Sequence, residues 1–247
     1  MKRFYPEGIS KIILTNMVRK KSQIHKYYFD HPEIWEQIRK EKFPKECRFL
    51  DYIFKKYGKI NSILDVGCGT GSHLALLRKM GYKTFGMDLN PTMIKFAKDH
   101  HPSTHFEIRD MRTLNYNGQF DSVICLCTTF SYNVSNEDVM KSLKGFYNSL
   151  KDNGILVIET FNPISFLKKL RLEESFFLEK EVRFNELGLR SQVLHTVNER
   201  EQTMTEIKTF LLLKGNKKLK TDVTTYRLFF PQEMRFFLEQ TVEDGDF

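Results

Sequence analysis

The stretch SILDVGCGTGSHLALLRKMG, residues 62–81, decides the fold. Its first residues favour a strand, three glycines follow within five positions at Gly67, Gly69 and Gly71, and an apolar rhythm of helical spacing closes it. A strand that ends in glycines and feeds a helix brings backbone N–H groups up to a ligand. Glycine is needed where a side chain would block that approach. Outward from this turn, strand-like and helix-like runs alternate: strand 62–66, helix 71–80, strand 83–88, helix 91–99, strands 104–108 and 120–127, helix 136–150 and strand 154–160. Short apolar strands separated by amphipathic helices imply a mostly parallel sheet covered on both faces, a doubly wound α/β domain.

On the N-terminal side, Ile34, Trp35, Ile38, Phe43, Phe49, Leu50, Ile53 and Phe54 recur at roughly helical spacing around a break at Pro44. After Asn162-Pro163 the rhythm changes. A helix-like segment, 164–172, is followed by alternating runs at 176–184, 190–200, 203–213 and 221–229, an antiparallel meander inserted after the fifth strand. Pro231 then opens a helix that should return to the main sheet. The expected organisation is a helical segment (1–60), a ligand-binding core (61–162), an antiparallel β cap (163–230) and a C-terminal helix (231–247).

The chain has 247 residues, 40% of them hydrophobic, which can supply a core of this size. No run approaches the eighteen or so apolar residues of a membrane span. The apolar run at 12–18 is broken by Thr15 and Asn16 and precedes its charges, Arg19-Lys20-Lys21, which reverses the order of a signal peptide. The expected compartment is the cytoplasm. Cys47, Cys68, Cys125 and Cys127 fit neither a disulfide framework nor a zinc site, so reduced thiols and no metal are expected. The net charge of +8 reads as a solvated basic face or as a docking surface for a phosphorylated substrate or RNA. The densest basic group, 214–220, sits between two strand-like runs, as a hairpin tip would.

Three nucleotide ligands compete for the glycine turn. A phosphate-binding P-loop requires Gly-Lys-Ser/Thr, whereas Gly71 is followed by Ser72-His73. A dinucleotide turn requires G-x-G-x-x-G, and Ser72 stands where its last glycine would fall. The third ligand accounts for more residues. Asp65, at the first strand's end, would serve no pyrophosphate but suits an ammonium group. Asp88, seventeen residues beyond Gly71, can take both ribose hydroxyls, each bond to a charged acceptor being worth about 1.5–3 kcal/mol. Asp110 follows the third strand, where it suits the exocyclic amine of adenine. An adenosine with a cationic tail is S-adenosyl-L-methionine.

In order along the chain, ILDVGCGTG, GMDLNPTMI, RDMRTL, FDSVICLCTTFSY and LKDNGILVIE resemble the motifs of class I S-adenosylmethionine-dependent methyltransferases, over about residues 60–162. The resemblance implies a Rossmann-like methyltransferase sheet and a role for each matching position. Gly67, Cys68, Gly69 and Gly71 would floor the methionine part, with Asp65 near its amino group and Asp88 on the ribose. Leu89 and Met93 would pack near the adenine or ribose, and Asp110 and Met111 would hold the adenine edge and face. Core packing is the alternative for Leu89, Met93 and Met111. Leu126 and Cys127 would lie beside the sulfonium, and Tyr28, in HKYYFD, would close over the cofactor.

The acceptor should meet the segments after the fourth and fifth strands. The fourth carries CTTFSY instead of the Asn/Asp-Pro-Pro-aromatic stretch of amino-methylating nucleic-acid enzymes, which disfavours that class. RSQVLHTVNEREQTMTEIKTFLLL and TTYRLFFPQEMRFFLEQ are similar to the four-strand cap of the sugar-nucleotide N-methyltransferases acting on deoxyamino sugars. A small-molecule amine or hydroxyl acceptor under a lid is therefore expected. Methyl transfer from a sulfonium needs alignment more than a strong base, and Tyr132, His195 and Glu159 are the candidates to orient or deprotonate an amine. His195 is alternatively a strand histidine with an ordinary partner. An RNA methyltransferase and a catalytically silent cofactor-binding protein are the alternative functions. The seven residues after Gln240 are too few for the hairpin that closes a class I sheet, so a shortened C-terminal end is expected, with homodimerisation or reduced stability at the open edge.

Overall fold

The computed structural model describes residues 27–165, 176–182 and 188–243. The apolar run at 12–18 and most of the helix expected at 164–172 lie outside the described residues. Three helices precede the sheet: α1 (Tyr27–Asp30), α2 (Pro32–Arg39) and α3 (Phe43–Tyr57). The break expected at Pro44 falls just before it, between Arg39 and Phe43, and Pro44 itself occupies the first turn of α3, where a missing N–H costs nothing.

The core follows as β1 (Ser62–Val66), α4 (Ser72–Lys79), β2 (Lys83–Asp88), α5 (Pro91–His100), β3 (His105–Ile108), β4 (Phe120–Cys125), α6 (Asn136–Ser149) and β5 (Leu150–Ile158). The five strands are parallel in the order β3-β2-β1-β4-β5, with β5 at one margin. Chain order reverses beside β1, which creates a crevice beyond the carboxyl ends of β1 and β4. β1 is buried at every position because both faces are covered. On one side Leu50 and Phe54 of α3, Leu74 and Leu77 of α4, and Ile94 and Ala97 of α5 pack on Ile63 and Ile124. On the other, Val139, Leu143 and Phe146 of α6 pack on Leu64, Val66 and Val123.

Several strand limits differ from expectation, in the cap by one to three residues, and two of the differences shape the core. β4 stops at Cys125, so Leu126 and Cys127 lie in a turn whose next residues turn left-handed, with φ of 55° at Cys127 and 60° at Thr128. β5 begins at Leu150, earlier than the sequence placed it, by pairing with Phe120 across an irregularity in the register.

The cap is a four-stranded antiparallel sheet of β6 (Phe176–Val182), β7 (Leu189–Asn198), β8 (Thr203–Leu212) and β9 (Lys218–Arg227). The basic hairpin tip holds a short turn at Lys214–Asn216, with Gly215 at φ 80°. α7 (Pro231–Glu243) returns to the core: its Phe237 joins Phe229 and the α6 side chains, while Arg227 and Glu233 pair at 2.5 Å. Tyr28, Ile34, Leu189 and Phe210 form a separate cluster that ties the N-terminal helices to the cap. Among the described residues no helix is long and apolar enough to cross a membrane.

Gly86 shows how tightly the strand-to-helix turn is set against β2. A Cβ there would stand 2.7 Å from Leu74 Cδ1 and from Phe106 Cδ1, and 2.9 Å from Cys68 Sγ. Overpacking a full core costs about 1–3 kcal/mol. Gly86→Ala should lose that much in urea denaturation, and an unchanged midpoint would refute the packing account.

Candidate functional site

The crevice at the switch point opens into a cavity of about 740 Å3, bounded by the core below, α1 and α2 at the side and the cap above. Asp65, Gly67, Cys68, Gly69, Asp88, Leu89, Met93, Asp110, Met111, Leu126, Cys127, Tyr28, Tyr132 and Glu159 all line it. Two sequence candidates do not. Gly71 has φ 77° and faces the core, where a Cβ would meet Phe106 Cζ at 2.7 Å, so its requirement is packing. His195 is buried on β7, where its Nε2 lies 3.3 Å from Glu206 Oε2, and it is Glu206 that reaches the cavity.

The glycine turn is built for close approach. Gly67 has φ 78°, and a Cβ there would meet Thr129 Cγ2 at 2.3 Å; Gly69 has φ 54° and opens onto free space, with Trp35 Nε1 4.0 Å away. Asp88 Oδ2 accepts from Gly69 N at 2.9 Å and Oδ1 from Asn90 N at 2.8 Å. Each oxygen keeps a lone pair for a ligand hydroxyl. Burial raises the Asp88 carboxyl, against the lowering effect of these amides.

Asp65 is held under electrostatic tension. It is 1% exposed, and its Oδ1 has no hydrogen-bond partner. Burial pushes its pKa up to about 7, with Asp88 raising it further and His73 opposing. An isolated buried carboxylate is costly until a cation meets it. The opposite defect lines the same cavity: Arg39 Nε is buried without a partner, although the guanidinium also pairs with Glu46 at 2.6 Å. Two residues that line one cavity therefore each hold a buried polar atom without a partner, a carboxylate oxygen and a guanidinium N–H, the complement of a zwitterionic α-amino-acid group.

The remaining candidates are more constrained than the sequence indicated. Asp110 caps its short helical turn through Arg112 N at 2.9 Å and is clasped by the Arg112 guanidinium, which holds its carboxyl below the usual range. Glu159 accepts from Cys127 N at 2.9 Å and so braces the left-handed turn after β4. Burial pushes the Tyr132 phenol well above its ordinary value, so it can orient a ligand but is a poor base. Cys127 is pushed up to about 12 by burial and stays a thiol.

Several site residues escaped the sequence reading. Glu36 of α2 accepts hydrogen bonds from Thr70 and Ser72 hydroxyls, which pins that helix to the glycine turn. Trp35 and Arg39, one turn apart on the same helix, line the cavity. Glu46, His73 and Cys127 bring a carboxylate oxygen, an imidazole nitrogen and a sulfur within 4.8 Å of one another from three separate elements, a set that metal-ligand spacing could not reveal. Glu46 is committed to His73 at 2.8 Å and to Arg39, and these hold its carboxyl down at about 2.

Comparison with known proteins is consistent with this arrangement. Residues 63–154 match a family model described as "Methyltransferase domain". The dTDP-4-amino-2,3,4,6-tetradeoxy-D-glucose N,N-dimethyltransferase of Saccharopolyspora spinosa is 29% identical over 137 residues, 54% of this chain and 55% of that protein. The glycine/sarcosine N-methyltransferase of Parasynechococcus marenigrum (strain WH8102) is 31% identical over 144 residues, 55% of this chain and 51% of that protein. The chain thus spans about half the length of these curated relatives. The sugar N-methyltransferase KedS8 from Streptoalloteichus sp ATCC 53650 superposes with a TM-score of 0.75 at 20% identity, over 90% of this chain and 86% of that one. The fold is that of a class I methyltransferase, a parallel five-stranded sheet with an antiparallel cap after its fifth strand.

Proposed function

We propose that the protein transfers a methyl group from S-adenosylmethionine to the nitrogen of a small-molecule amine enclosed beneath the cap. The observation that carries this reading is a pair of buried polar atoms without a hydrogen-bond partner, Asp65 Oδ1 and Arg39 Nε, on two side chains of opposite character that line the cavity beside the glycine turn. Asp65 would hold the ammonium of the methionine part and Arg39 its carboxylate. Asp88 would accept the ribose hydroxyls, and Leu89, Met93 and Met111 would offer the apolar surface for adenine. The Asp110 carboxylate, already shared with Arg112, would meet the adenine amine with its remaining lone pairs. When bound, the cofactor supplies an electrophilic methyl group on a sulfonium. The chain's own contribution is alignment and exclusion of water: Trp35 and Tyr28 cover one side, the Leu126–Thr129 turn the other, and Tyr132 orients the acceptor. The match of residues 63–154 supports methyl transfer, and the two relatives named for N-methylation support amine chemistry.

Titration calorimetry tests the cofactor. Micromolar binding of S-adenosylmethionine is expected, weakened about 100-fold in Asp88→Asn, as two hydrogen bonds to a charged acceptor require. Absence of binding to the wild type would refute the reading.

Asp65 adds a pH signature. Because its folded pKa is raised to about 7, a cationic ligand meets the ionised form only above that value, and affinity should fall about tenfold from pH 8 to pH 6. Asp65→Asn should bind weakly and without this slope. In the ligand-free protein the sign is opposite to that of a salt-bridged acid. Stability is retained below the unfolded value near 4 and lost as pH rises through about 7, by on the order of 4 kcal/mol. Asp65→Asn should therefore melt higher than the wild type at pH 8, and a lower melting temperature there would count against the assignment.

A further inference from the structure

The inner face of the cap is charged where it closes the cavity. On β8, Met204, Glu206, Lys208 and Phe210 alternate onto one face, and Glu206 and Lys208 line the cavity. Across the sheet Glu206 stands opposite His195 of β7 and Thr224 of β9, and Lys208 opposite Val193 and Asp222. Glu206 Oε2 accepts from His195 Nε2 at 3.3 Å, and Oε1 pairs with Lys208 Nζ at 3.2 Å. The Glu206 and Lys208 side chains are only 13% and 19% exposed. Lys208 Nζ lies 5.2 Å from the Tyr28 ring centroid, which binds it to the N-terminal helices as well. Tyr132, beside the turn after β4, lines the cavity and packs on Met204 and Tyr226 of the cap, its ring centroid 5.2 Å from that of Tyr226, so it spans the interval between the sheet ends and the cap.

Desolvating an ion pair in a lid is unfavourable unless the pair has something to recognise. Asp65 and Asp88 are assigned above to the cofactor end, and Glu159 accepts from Cys127 N through one of its oxygens beside the turn after β4. Glu206 is the acid that the cap brings to the acceptor end. Resting on the function proposed above, we propose that Glu206 accepts an N–H hydrogen bond from the acceptor nitrogen, while Lys208 beside it disfavours the ammonium form. The pair thereby selects an amine and presents it neutral.

A carboxylate alone would lock the acceptor as an ammonium, which has no lone pair to donate. The adjacent lysine cancels that tendency, because a like charge disfavours protonation. The oriented lone pair then forms the new C–N bond as the S–CH3 bond breaks, and the surplus proton leaves to solvent from the methylated nitrogen. Glu206 is thus a catalytic residue by contact. Lys208 is a positioning residue acting through charge, and His195 fixes the carboxylate that the sequence had led us to expect of the histidine itself. Among the described residues, other charged or titratable groups around the pair include Asp222 and Lys220 of β9, Tyr28 of α1 and Tyr132.

The test is the pH profile of kcat at saturating acceptor, which reports ionisation within the complex, for glycine, sarcosine and dTDP-4-amino-2,3,4,6-tetradeoxy-D-glucose, with cofactor affinity measured alongside. Glu206→Gln should lower the plateau about 10–100-fold, as loss of a charged hydrogen bond implies, and move the acid limb to lower pH. Lys208→Met should move the limb to higher pH. His195→Gln should keep the limb, which assigns it to the acceptor and not to the imidazole. Both cap variants should bind S-adenosylmethionine as the wild type does. In the complex with S-adenosylhomocysteine, the wild type should prefer glycine over glycolate, and Glu206→Gln should lose that preference. Shifts in the same direction, no shifts, or cofactor binding lost with Glu206 would overturn the inference while leaving the cofactor reading intact. A wild type that binds the cofactor but turns over none of the three amines would overturn it together with the amine class.

Discussion

A carboxylate buried at the end of β1 with one oxygen unanswered is the constraint on which the rest of the site depends. Asp65 can stand there only because the strand beneath it is enclosed by helices on both faces, and the same enclosure removes the water that would otherwise solvate it. The glycine turn that follows leaves the approach to that carboxylate open. Gly69 leaves space over the cavity, and Gly67 lets the turn lie against Thr129. In the proposed reading a cationic ligand would answer the Asp65 oxygen and favour the ionised carboxylate that burial disfavours.

The N-terminal helices and the cap convert this open crevice into an enclosed one. Glu36 fastens α2 to the glycine turn, and the aromatic contacts of Tyr28 and Trp35 with Phe210 and its neighbours fasten the same helices to the cap. Arg39 arrives at the cavity as a consequence, opposite in charge to Asp65. The cap then contributes a paired acid and base, Glu206 and Lys208, above the cofactor region. In the proposed reading the sheet ends would meet the adenosine and amino-acid parts, and the cap would meet the group to be methylated.

Much of the core could be read from the sequence because its determinants are local. The strand, glycine turn and helix around Gly67, the acids ending β1 and β2, and the alternating strands of the cap each follow from residue type and short-range period. The positions missed were those that depend on tertiary contact. Arg39 and Glu36 look like solvent-facing charges on an amphipathic helix, and only the packing of α2 on the glycine turn gives them a partner. His195 was singled out because histidine carries proton chemistry, yet it is Glu206, directly across the strand pair, that reaches the cavity. Asp110 was placed correctly in the chain, but its clasp by Arg112 two residues on could be seen only with side-chain geometry. The end of β4 was misjudged because Leu126 and Cys127 are apolar enough to continue a strand, whereas the left-handed turn held by Glu159 stops it.

The most direct measurement compares, by calorimetry on the same protein at pH 8, the affinity of S-adenosylhomocysteine with that of 5′-methylthioadenosine, which keeps the nucleoside and thioether but lacks the amino-acid group. If Asp65 and Arg39 are waiting for the two ends of a zwitterion, removing that group should weaken binding by at least about 100-fold. Equal affinity for the two ligands would mean that neither charge meets the cofactor, and the account of the cavity would be wrong at its centre.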